Sequence, residues 1–127
     1  MPIKTAIDTD RSIIIHTITG KFTVEDAIGA YELSFTLPGF DERMGVIWDH
    51  RLTVAGDNTV GSLQELKQRI ETSRFKRSQP YRVALVAEKD AIYGMARAFQ
   101  AISGSLPTET LVTRSMDEAL VWVAGGQ

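Results

Sequence analysis

Asp49, His50 and Arg51 follow one another where an apolar run, residues 44–48, gives way to polar sequence. A carboxylate, an imidazole and a guanidinium in one place can orient a carboxylate or phosphate, and in α/β folds ligands collect where central strands end. The same residues have a plainer reading, in which Asp49 caps backbone N–H groups, Arg51 makes a surface ion pair and His50 faces solvent. A second set is Glu88, Lys89 and Asp90, with Tyr93 one turn further on. It falls between an apolar run and a helical pattern, so the free N–H groups of a helix start would lie beside Lys89. If the two strands are neighbours, an anion would bridge Arg51, Lys89 and the helix end across one crevice. Asp49, His50, Arg51, Lys89 and Tyr93 are therefore the candidate ligand-binding residues.

The sequence contains no GxSxG, P-loop, HExxH or GxGxxG pattern, so no catalytic residue is assigned. A binding or regulatory module is preferred, and a small enzyme built on Asp49, His50 and Arg51 is the alternative. His16 shares a strand side with Ile14 and Ile18, which marks it as a hydrogen-bonded core or subunit-interface histidine. Two separated histidines do not make a metal site, and the absence of cysteine excludes thiolate-built zinc sites and disulfides. No metal and no cofactor are expected.

The elements that must position these groups are legible from periodicity. Residues 3–7 alternate as a strand, Asp8, Thr9 and Asp10 interrupt, and 13–18 resume as a β-branched run, which together read as a hairpin. Thr23 is the N-cap of a helix that buries Val24, Ala27, Ile28, Tyr31 and Phe35. A strand over 44–48 follows, then a connection through Asn58, and a helix over 60–72 with Leu63, Leu66 and Ile70 inward. The closing third repeats the alternation: a strand over 82–87, a helix from an Asp90 N-cap through Ile102, a strand over 109–113, and a helix entered by a Ser115–Glu118 capping box. This is an α/β protein with a five-stranded, mostly parallel sheet, an N-terminal antiparallel hairpin and four helices. Right-handed crossovers in near-sequential order place the helices mainly on one face, although a doubly wound sheet gives the same linear pattern.

With 127 residues the chain has room for one domain, 1–127. A net charge of -2 gives no global attraction to nucleic acid, and the basic stretch Lys67, Arg69, Arg74, Lys76, Arg77 and Arg82 around Phe75 reads as a solvated face. No apolar run reaches the roughly 18 residues of a membrane span, and the start lacks a signal-peptide core, so a cytoplasmic location is expected. On the 90–102 helix, Ala91, Gly94, Ala98 and Ala101 line a small-residue flank beside the larger face of Ile92, Met95, Ala96, Phe99 and Ile102. That flank lets something pack closely, either the sheet or a second subunit, and makes Gly94, Ala98 and Ala101 candidate interface residues.

Five segments together resemble the SpoIIAA-like proteins, small bacterial relatives of STAS domains. They are Gly20-Lys21-Phe22-Thr23, Val46-Ile47-Trp48-Asp49-His50-Arg51, Arg82-Val83-Ala84-Leu85-Val86-Ala87, Tyr93-Gly94-Met95-Ala96 and Asp117-Glu118-Ala119-Leu120-Val121-Trp122. The resemblance is distributed over almost the whole chain. It implies a right-handed superhelix of β and α units, also likened to the CRAL-TRIO lipid-transfer fold, and a role mostly unassigned; the residues themselves are read as a module for a small-molecule or lipid-like ligand or a protein partner, with a purely structural homodimer as a further alternative. Anti-anti-sigma STAS proteins carry an Asp-Ser-x-Gly phosphoacceptor after the corresponding strand. Here that place holds Asp49-His50-Arg51-Leu52-Thr53, so no phosphoacceptor is carried over.

Overall fold

Two β-branched runs open the chain and pair with each other: β1 (Ile3–Asp8) lies antiparallel to β2 (Ile13–Lys21), in register from Ile3 opposite Ile18 to Asp8 opposite Ile13. The computed structural model describes residues 2–125. After the hairpin come α1 (Val24–Ser34), β3 (Gly45–Val54), α2 (Val60–Thr72), β4 (Tyr81–Val86), α3 (Asp90–Ile102), β5 (Thr108–Thr113) and α4 (Met116–Ala124). The sheet order is β1-β2-β3-β4-β5, and every pair after the hairpin is parallel. Sequential order, and not a switch point, is the arrangement adopted.

The helix starts follow local chemistry. Thr23 accepts from the Asp26 N–H at 3.1 Å, as its type and position suggest. Thr59 and Ser62 make a reciprocal capping box at α2. At α4 only half of the expected box forms: Ser115 Oγ accepts from the Glu118 N–H, while the Ser115 N–H is taken by Thr113 Oγ1 at 3.1 Å. Asp90 is not the cap of α3. That position belongs to Lys89, and Asp90 lies in the first turn, paired with Arg114.

Strand alternation divides the apolar residues between two faces. Ile13, Ile47, Ala84 and Val86 meet Ala119 and Val123 of α4, all of them fully buried. Gly45 is where α4 comes nearest: a Cβ there would collide with Val123 Cγ1 and stand 3.3 Å from the Arg82 carbonyl. The opposite face carries Ile14, Val46 and Leu85, with Trp48 touching three separate clusters of core residues under α1 and α3. Three helices cover this face and one covers the other, so α4 adds a third layer to the arrangement expected from the crossovers. α2 makes its main contacts with α1 and α3 and stands off the sheet.

β3 runs six residues beyond Trp48, through the segment that reads as a connection. Asp49 opposes Thr17 and Leu52 opposes Thr19, so one residue of β2, Ile18, faces two of β3, His50 and Arg51. This is a β-bulge. It breaks the two-residue alternation that sequence reading depends on, while Leu52, Thr53 and Val54 continue the ladder against Thr19, Gly20 and Lys21.

Candidate functional site

Alternation from Trp48 decides where Asp49, His50 and Arg51 point, and the bulge brings Thr53 to the His50 side. Asp49 is buried and grips Arg51 in a fork, with Oδ1 accepting from Nε and Oδ2 from Nη2, both at 2.9 Å, and Oδ1 also accepting the Arg51 backbone N–H at 3.1 Å. Burial alone would raise the Asp49 pKa, but the Arg51 guanidinium and N–H outweigh it and hold the carboxyl below the usual range. Arg51 is half-exposed and lies in the field of Glu88 and Asp117, at the α4 side of the sheet. The pair is a self-satisfied ion pair.

His50 points the other way. It is buried, its ring meets the Phe22 ring edge-on at 4.8 Å, and its Nδ1 lies 3.0 Å from Thr53 Oγ1. Burial pushes its pKa down to about 4, against the weaker pull of Asp49, so the imidazole is neutral near pH 7. With the bulge between them, His50 and Thr53 face the same side although they are three residues apart.

That side holds a cavity of about 310 Å3, enclosed by the sheet, α1, α2 and α3. Its existence follows from α2 bridging its neighbouring helices instead of lying on the strands. Leu63, Leu66 and Ile70 form its roof, Trp48, Val83 and Leu85 its floor, and Ile92, Met95 and Phe99 one wall. The exposed Val54, Ala55, Gly56 and Ala91 make its rim, at the C-terminal end of β3 and the start of α3. No Asp, Glu, Lys or Arg lines it. The volume is near the lower end of the roughly 300–1,000 Å3 typical of small-molecule sites.

Of the five candidate ligand-binding residues, only His50 lines this cavity. Asp49 and Arg51 lie behind it, through the sheet. β3 and β4 are indeed neighbours, with Asp49 opposite Val86, but Lys89 is occupied in another way. Its Nζ donates to the Thr53 carbonyl at 3.1 Å, tying down the end of β3 where β4 has already stopped. Tyr93 is half-buried, packs against Leu85 and Val112, and carries the Arg114 guanidinium 4.3 Å above its ring. The crevice shared by Arg51 and Lys89 is not formed: Arg51 lies on the strand face of Asp49, to which it is forked, and a backbone carbonyl takes Lys89.

His16 is a core residue, its Nδ1 2.8 Å from Thr5 Oγ1 and its ring stacked on Trp48 at 3.9 Å, and burial drives its pKa down to about 3. Arg77 is not part of a solvated basic face. Its guanidinium is largely buried, lies 3.9 Å over the Tyr81 ring and donates to the carbonyls of Glu42 and Met44. Arg82 likewise turns inward, donating to the Trp122 carbonyl at 2.7 Å. Gly94 and Ala101 are exposed and Ala98 is half-buried; a Cβ on Gly94 would meet nothing within 4 Å, so the close approach its flank suggests does not occur among the described residues. Among the described residues no cluster of three or more His, Asp or Glu could hold a metal ion, and no helix is long and apolar enough to cross a membrane.

The chain superimposes on the crystal structure of an uncharacterised DUF3478-family protein with a SpoIIAA-like fold from Shewanella loihica PV-4. The likeness has a TM-score of 0.57, covers 95% of this chain and 91% of that one, and comes with 20% sequence identity. The fold is SpoIIAA-like. No family model and no curated protein matches the sequence. The shared SpoIIAA-like architecture therefore speaks to how the elements are arranged, and the chemistry must be argued from the cavity itself.

The cavity residues were only partly legible. Leu63, Leu66, Ile70, Met95 and Phe99 all show as apolar helix positions. Periodicity marks such a residue as inward and does not say whether it meets another side chain or a chamber. The one available signal was excess: α2 and α3 offer two long apolar faces to a sheet side that α1 already partly covers.

Proposed function

We propose that the protein is a non-enzymatic binding module that takes a small apolar molecule into the chamber between α2 and the sheet. The observation that carries this reading is the chamber itself: about 310 Å3 lined by aromatic and aliphatic side chains with a few hydrogen-bonding groups and an exposed rim. Apolar surface of this kind gains from contact with an apolar guest by both transfer from water and dispersion. The non-enzymatic part rests on what does not converge there. His50 and Thr53 are within hydrogen-bond reach of each other, but the adjacent carboxylate, Asp49, is on the far side of the sheet and committed to Arg51, so no acid–base pair faces the chamber.

Pyrene serves as an uncharged probe without hydrogen-bonding groups. It should bind with a change in its emission spectrum and raise the melting temperature with concentration, as any ligand selective for the folded state does. Ala96 and Ala27 are both buried in the chamber wall, and Ala96→Leu and Ala27→Leu extend a side chain into the space pyrene would take. A folded variant of either kind should lose pyrene binding. Binding that persists undiminished in both folded variants would place the probe elsewhere and defeat the proposal.

A further inference from the structure

The composition of the chamber wall restricts the guest by charge as well as by polarity. An ion taken from water into apolar surroundings without a partner carries a heavy desolvation cost, and no charged side chain lines this cavity to offset it. Most wall groups that could hydrogen-bond are already committed. The Tyr31 hydroxyl donates to the Phe75 carbonyl at 2.7 Å; Asn58 donates to the Phe22 carbonyl at 2.7 Å and accepts from Ser62 Oγ; Thr108 and Thr110 hydroxyls lie 3.5 Å apart. His50 is different. Thr53 holds Nδ1, and Nε2 has no partner among the described residues.

We propose that the ligand is an uncharged amphiphile, an apolar chain or ring bearing one alcohol, aldehyde or ketone group, with that group hydrogen-bonded to His50 Nε2 near the rim. The inference rests on the chamber being the binding site. The Thr53 hydroxyl can either donate to Nδ1 or accept from it, so Nε2 can take the complementary role and meet a carbonyl or a hydroxyl equally. The bulge in β3 is what places the two groups together on this face. Burial keeps the ring neutral, so it offers a dipole and not a charge.

A carboxylate would have to look for a cation elsewhere. Three cations lie around the chamber without lining it: Lys89, whose Nζ donates to the Thr53 carbonyl at 3.1 Å, Lys21, whose stem runs beside Gly56 of the rim, and Arg77, which borders a separate cavity of about 20 Å3 beyond Tyr31, Trp48, Tyr81 and Val83, room for roughly one water molecule. The Arg77 Nε is buried without a partner, but its Nη1 and its faces are engaged by the Glu42 and Met44 carbonyls and by the Tyr81 and Phe40 rings. A fatty acid would therefore find no cation in the wall that admits the corresponding alcohol.

Displacement of bound pyrene by decan-1-ol, 2-decanone and decanoate at pH 7.5 tests this. The alcohol and the ketone should displace pyrene, and decanoate should require at least about tenfold more. In His50→Phe, which keeps an aromatic ring against Phe22, the ratio of decan-1-ol affinity to pyrene affinity should fall about three- to tenfold, the worth of one hydrogen bond. Decanoate competing as well as the alcohol would overturn the inference, the more so if Arg77→Ala abolished it. So would a loss of alcohol affinity in Tyr81→Phe in place of His50→Phe. If pyrene itself does not bind the unaltered protein, the chamber is not a binding site, and this inference falls with the proposed function.

Discussion

The two faces of the sheet solve the same problem in opposite ways. On one, a single nine-residue helix, α4, lies so near the strands that Gly45 must lack a side chain, and six fully buried residues from three strands and α4 form one cluster. On the other, three helices cover the strands, yet the middle one leans on its neighbours and encloses a chamber. The strands supply both faces from the same residues in alternation, so the difference comes from the helices and not from the sheet. One face is built for stability, and the other gives up part of its packing to hold space.

The largest contrast should appear in core truncations. Ile47→Ala on the α4 face removes a side chain that is fully buried among Ile13, Ala84 and Val123 and should cost about 2–5 kcal/mol. Leu66→Ala on α2 removes a side chain that already borders the chamber and so has fewer partners to lose; it should cost clearly less. Chemical denaturation of both variants measures the two values, and a cost at Leu66 equal to that at Ile47 would erase the proposed distinction.

The chamber face also holds both histidines, and both are buried neutral. An unfolded histidine titrates near 6.5, while burial takes His16 down to about 3 and His50 down to about 4. Between these values the unfolded chain binds more protons than the folded one, so stability present above pH 6.5 is lost as pH falls from 6.5 toward 4. From pH 7 to pH 5 each histidine should remove on the order of 2 kcal/mol, at about 1.4 kcal/mol per pH unit. Unfolding titrations of His50→Phe should show a shallower fall over that window, and an unchanged slope would mean the imidazole is not held neutral.

Much of this arrangement was readable beforehand, and the failures have a common cause. Periodicity located all five strands and four helices, and the bounds of α2 matched. Thr23 and Ser115 marked helix starts because a side-chain oxygen beside free N–H groups is a local event. β3 reads as ending at Trp48, because the polar Asp49-His50-Arg51 interrupts its apolar run and the strand partner of its last residues, the end of β2, is distant in sequence. The crevice expected between Arg51 and Lys89 does not form. Asp49, His50 and Arg51 are adjacent in the chain, but a strand sends neighbours to opposite faces, so His50 follows Trp48 to the chamber side while Asp49 and Arg51 go to the other. Gly94 suggested a close contact that nothing among the described residues makes.

Smaller effects sharpen the same comparison. Asp49→Ala should cost about 1–3 kcal/mol, since it strips a buried fork of charge-assisted hydrogen bonds, yet leave pyrene affinity unchanged because the pair lies behind the sheet. A parallel loss of binding would join the two faces into one site. Gly94→Ala should be the mildest change and a stabilising one, up to about 1 kcal/mol, because a helix interior prefers alanine and no atom obstructs the added methyl. A fall in melting temperature would point to a partner packed on that flank.

The central claim is that apolar guests enter on the Trp48 side and not on the α4 side, and the two tryptophans of the chain report on it separately. Trp48 lines the chamber, whereas Trp122 packs on the α4 cluster. Titration with 1-bromohexane, whose bromine quenches a tryptophan it touches, should darken the Trp48 emission left in Trp122→Phe and spare the Trp122 emission left in Trp48→Phe. Equal quenching of both, or quenching of Trp122 alone, would contradict the account.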